Sequence, residues 1–167
     1  MFHMKLDFSN SKGIKVDNRE IAFFDETSLI DYVCDFLYEE QVKFIVSDDY
    51  CDDYGMDCKF DLPCLLEAYN DISYSLLNKQ DFLVEFYEQG REYFISFVMS
   101  DDNVQLDIRY GYNNICSKKE ELTYCYVKKM FADFYMILFE YISKYFSSIQ
   151  QNSVFNEWNI KLKELNP

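Results

Sequence analysis

Three apolar-rich runs, DFLVEFYEQG at 81–90, REYFISFVMS at 91–100 and NVQLDIRYGY at 103–112, constrain the fold most. They are joined through EQGR and SDDN. Connections this short join antiparallel neighbours, because parallel strands need a crossover of about a dozen residues or more. The stretch from about 82 to 110 is therefore predicted to be an antiparallel meander. In the second run Tyr93, Ile95 and Phe97 share one face and Phe94, Ser96 and Val98 the other. Both faces are apolar, which predicts a central strand.

Around the meander the pattern alternates between short strands and helices. MKLDF, IKV and EIAFF within 2–24 read as short strands. Ile30, Val33, Cys34 and Leu37 recur at helical spacing, so a helix is predicted over about 28–40, with Asp25 or Thr27 as its cap. VKFIVS at 42–47 reads as a buried strand. A second helix is predicted over about 62–77, with Asp61 as cap and Pro63 in the first turn. A long helix is predicted over about 118–149. Its stripe is Val127, Phe131, Phe134, Leu138, Tyr141, Ile142, Tyr145 and Ile149. The segment SVFNEWNIKLKEL adds one more helical piece, docked by Phe155 and Trp158. The expected class is α+β: a central antiparallel sheet packed against a long C-terminal helix and two shorter helices. At 167 residues one domain, 1–167, is expected, with a core that needs neither disulfide nor metal.

The net charge is −14, and it is unevenly placed. Residues 1–112 carry 24 acids against nine bases, whereas 113–167 are nearly balanced. Such a field repels nucleic acid and anionic lipid and attracts cationic proteins. MFHMKLDFSN does not read as a secretory signal, no apolar run approaches the ~20 residues of a membrane span, and the six cysteines are irregularly spaced. The expectation is a cytoplasmic protein with free thiols.

Catalytic equipment is thin. The single histidine, His3, lies at the start, where an imidazole is poorly placed for nucleophilic or general-base work. There is no phosphate-binding glycine loop, no G-x-S-x-G, and only three arginines. The chain is read as a non-enzyme without cofactor.

SDDYCDDYGMDC, 47–58, is the most distinctive stretch. Cys51, Cys58 and Cys64 lack the paired spacing of structural zinc ligands. A calcium loop with Gly55 at its sixth position would end at Asp61 rather than a glutamate. No metal is expected. Asp48, Asp49, Asp52, Asp53, Asp57 and Asp61 instead read as a negative surface with Tyr50 and Tyr54 as aromatic anchors. Glu39 and Glu40, closing the preceding helix against its dipole, add to the same partner-binding set.

In general character along the whole chain, a small, acidic, motif-free protein of this kind resembles bacterial immunity proteins of polymorphic-toxin and contact-dependent inhibition systems. That resemblance implies a monomer that binds a basic toxin domain one to one and covers its active site or substrate channel, without nucleic acid or membrane. The alternative is a dimeric secretion chaperone or adaptor holding a client protein.

Overall fold

The computed structural model describes residues 1–11, 21–87, 92–110 and 116–166. The candidate strand at 14–16 and the turn at 88–91 lie outside them. Strand β1, His3–Asp7, buries Met4 and Leu6 between outward His3 and Lys5. Ile21–Phe24, expected as strand, is a turn instead. Asn152 holds it, donating from Nδ2 to the carbonyls of Ile21 (3.0 Å) and Phe24 (2.9 Å), so these backbone groups are satisfied without a strand partner.

Helix α1, Glu26–Glu39, starts at the expected cap, where the Asp25 carboxylate accepts from the Ser28 amide at 2.8 Å. It buries Leu29, Ile30, Val33, Cys34, Phe36 and Leu37. It ends in a left-handed turn at Gln41 (φ 63°), with the Gln41 amide on Tyr38 O and the Val42 amide on Leu37 O. This is the helix stop that favours glycine. Gln41→Gly should therefore stabilise the fold by about 0.5–1 kcal/mol. A thermal melt reads this directly, and an unchanged or lowered Tm would contradict it.

Strand β2, Lys43–Ser47, pairs antiparallel with β1, Met4 opposite Val46. The single helix expected over 62–77 is two, α2 at Asp61–Glu67 and α3 at Tyr69–Asn78, with Ala68 between them at φ −79°, ψ −2°. The bend lets one apolar stripe serve two neighbours: α2 lies against α1, and α3 against the last helix. Asp61 is the first residue of α2 rather than its cap; its carboxylate reaches back to the Asp57 amide at 2.9 Å.

The meander is present and has a fourth strand. Strands β3 (Phe82–Phe86), β4 (Tyr93–Ser100), β5 (Asn103–Tyr110) and β6 (Cys116–Thr123) follow one another in sheet order, all antiparallel. β4 is internal, as its two apolar faces predict. Residues 118–123, expected as helix, belong to β6. Pairing with β5 outweighs the helical propensity of KKEEL. Lys118, Glu120 and Leu122 face the core side opposite Ile108, Leu106 and Val104. Inward charges on an edge strand discourage further pairing. Both have partners: the Phe2 amide donates to Glu120 at 2.9 Å, and Lys118 meets the acidic loop described below.

Helix α4, Tyr124–Tyr145, is capped by Thr123 and crosses beneath the sheet. The Phe131 ring packs against Phe82 and Phe97 at 5.6 and 5.5 Å, and Phe134 meets Phe44 at 5.5 Å. Its stripe fades at the end, where Tyr141 and Tyr145 are only partly buried and Ile149 sits in a separate 3-10 turn, Ile149–Gln151. Helix α5, Ser153–Leu165, docks through Phe155 and Trp158, both against Phe139. All these layers share one contiguous core. Among the described residues, no helix is long and apolar enough to cross a membrane.

Candidate functional site

Asp48 follows directly on β2, and its carboxylate organises the acidic loop from inside. Oδ1 accepts from the amides of Tyr50 (2.7 Å) and Cys51 (2.8 Å), the local turn that aspartate favours. Oδ2 accepts from the Tyr54 hydroxyl and lies 3.5 Å from Lys118 Nζ. The Asp48 side chain is only 3% exposed. Burial alone would raise its pKa, but the bonds from Tyr54, the two amides and the Lys118 charge outweigh it and hold the carboxyl below the usual range. Burial and the Asp48 carboxylate push the Tyr54 phenol far up, so it remains a donor. Tyr54 is buried edge-on to Tyr93 and Tyr110. Gly55 (φ 73°) then turns the chain where a side chain would be strained.

From Tyr54 to Cys58 the chain returns alongside β2. The Tyr54 amide bonds Val46 O at 2.9 Å, and the Cys58 thiol reaches Val42 O at 3.3 Å. Asp57 accepts from the amides of Lys59 (2.8 Å) and Phe60 (2.7 Å), preparing the start of α2. Burial pushes the Cys58 thiol up to about 12 and the Cys34 thiol well up too, so both stay protonated and are poor nucleophiles or ligands. Among the described residues no group of three or more His, Cys, Asp or Glu is arranged to hold a metal ion.

The residues expected to meet a partner therefore separate. Asp48, Tyr54 and Asp61 are turned inward and serve the fold, and Asp57 is a half-buried turn former. Asp49, Tyr50, Asp52 and Asp53 remain at the loop tip; the Tyr50 ring, 85% exposed, lies over Lys118 with 5.0 Å between ring centroid and Nζ. Glu39 and Glu40, expected beside this loop, stand at the other end of β2. The return segment from 54 to 58 spans about 13 Å at ~3.3 Å per residue. Glu39 is exposed and Glu40 half-buried.

What Glu39 does adjoin is an acidic helix edge that the sequence reading passed over. Asp31, Asp35 and Glu39 recur every four residues along the exposed side of α1. Asp31 and Asp35 wall a groove of about 380 Å³ between α1 and α2, with Glu67 on the far side and Phe60, Pro63 and Tyr87 completing it. Lys59 enters with one positive charge, 3.1 Å from Asp35 and over the Tyr38 ring at 5.7 Å. Tyr38 and Tyr87 are 50% and 54% exposed. The four-residue acid spacing was visible in the sequence. Its meeting with Glu67 and Tyr87 depends on how α1, α2 and β3 pack.

Comparison with protein-family models, curated proteins and solved structures found no match.

Proposed function

We propose that this chain is a binding protein that neutralises a basic partner, acting as an immunity protein does on a toxin domain. The observation that carries the reading is the α1–α2 groove. Carboxylates from two helices converge there beside exposed tyrosines, with Lys59 alone among its lining residues carrying positive charge. Carboxylates at such a surface speed the encounter with a cationic protein, and tyrosines supply the contact area that slows release. Asp49, Asp52, Asp53 and Tyr50 form a second negative patch at the other end of β2 that extends the attracting field.

The reading requires a basic toxin domain encoded beside this chain. Expressed alone in a susceptible cell, that domain should arrest growth. Expressed with this chain it should not, and the two should purify as a one-to-one complex. A neighbouring domain whose toxicity is untouched by this chain would overturn the proposal.

A further inference from the structure

The meander has an outer face with its own character. The register sets Leu83, Ser96, Asp107 and Lys119 in one cross-strand row, and Glu85, Phe94 and Arg109 in the next. An antiparallel sheet with one solvated face normally turns polar residues outward. Here Leu83 and Val98 are 46% and 39% exposed, Phe94 is half-buried, and a groove of about 540 Å³ runs over them, with Asp81 at its rim and Asp107 and Arg109 opposite.

Asp107 adds a polar requirement. Arg109 Nε and Nη2 both reach its Oδ2, at 3.3 and 3.0 Å. Its Oδ1 is buried and has no donor among the described residues. A carboxylate oxygen out of water and without a donor is a standing cost to the fold. The Asp107 charge cancels that of Arg109 and Lys119 offsets one more, so with Asp81 and Glu85 these outer-face residues keep one net negative charge, its acids standing along β3 on either side of Leu83.

We propose that this face docks an amphipathic cationic segment of a partner protein. Aliphatic side chains would cover Leu83, Phe94 and Val98, and a lysine or arginine would pair with the exposed carboxylates of Asp81 and Glu85 on either side of Leu83. The proposal rests on the reading that the partner is basic, and it adds a surface distinct from the α1–α2 groove. Charge argues against a second copy of this chain as the occupant, because two faces rimmed by Asp81 and Glu85 in molecules of net charge −14 repel.

The test uses the full chain, isotopically labelled for NMR, titrated with a synthetic leucine–lysine amphipathic helix and with its leucine–glutamate twin. The lysine peptide should shift the amides of Leu83, Phe94, Ser96, Val98 and Asp107, and the glutamate peptide should not. Leu83→Lys and Glu85→Gln should each weaken that binding, the first by about 10-fold or more. Both positions are on the outer face, and a thermal melt checks that each variant is folded. Lysine-peptide shifts confined to the α1–α2 groove or the loop tip, and unaffected by Leu83→Lys, would overturn this proposal while leaving the basic-partner reading in place. No binding of the cationic peptide anywhere would count against both. A dimer in sedimentation that Leu83→Lys abolishes would replace the partner segment with a second copy.

Discussion

Replacing Asp48 by alanine is expected to lower the unfolding free energy by about 2–3 kcal/mol, because it leaves several donors without their acceptor. The Tyr54 hydroxyl sits among Tyr93 and Tyr110, the amides of Tyr50 and Cys51 lose the turn that Oδ1 closes, and Lys118 loses its counter-charge. Lys118 is 28% exposed and can rehydrate, so the cost stays below that of a fully buried pair. In a chain of this length the loss should appear as a fall in Tm of about 5–10 °C. Asp52→Asn, four residues on and exposed, should change stability by no more than about 0.5 kcal/mol. Equal effects from the two substitutions would show that the loop is organised in some other way.

The same carboxylate has a pH signature. Its pKa is held below the ordinary 3.8, so its contribution is fully present above that value and is lost as pH falls through the depressed one. The stability gap between the parent and Asp48→Asn should therefore hold steady near neutrality and narrow below about pH 4. A gap that widens with acid would contradict the depressed pKa.

The fold was legible wherever period and punctuation agree. α1 combines a clean apolar period with the Asp25 cap, and its start lies within two residues of expectation. β4 carries apolar residues on both faces and is internal. The misses have one physical origin, tertiary partners overriding local preference. KKEEL is helical by propensity, and it becomes β6 because β5 offers a full ladder and Asp48 and the Phe2 amide accommodate the inward charges. The break at Ala68 is silent in the sequence because the stripe continues unbroken through Leu66, Tyr69 and Ile72. The acidic loop looked like one surface because composition does not distinguish a carboxylate facing solvent from one closing a turn. Half of SDDYCDDYGMDC builds structure, and the acids that define the α1–α2 groove come from segments with no unusual composition.

Charge reversal on α1 should therefore affect partner binding more than neutralisation of the loop tip. With the basic partner in hand, Asp31→Lys combined with Asp35→Lys should slow association by roughly 10- to 100-fold and flatten its dependence on salt. Dissociation should change far less, since rim charges act mainly on encounter. Both positions are exposed, so the folded state should tolerate them; among the described residues Asp35 has the exposed Lys59 pair to lose, worth at most about 1 kcal/mol. Tyr87→Ala should do the opposite, leaving association near its parent value and accelerating release, as expected of an aromatic anchor. Asp49→Asn with Asp52→Asn and Asp53→Asn should slow association by a smaller factor, because those acids contribute to the field from the other end of β2. Asp48 is kept out of that set, since its loss would unsettle the loop and disguise a folding defect as a binding one. Stopped-flow association at two ionic strengths separates these cases. A charge-reversed groove that associates at the parent rate, beside loop-tip variants that do not, would move the docking face to Asp49–Asp53 and Tyr50.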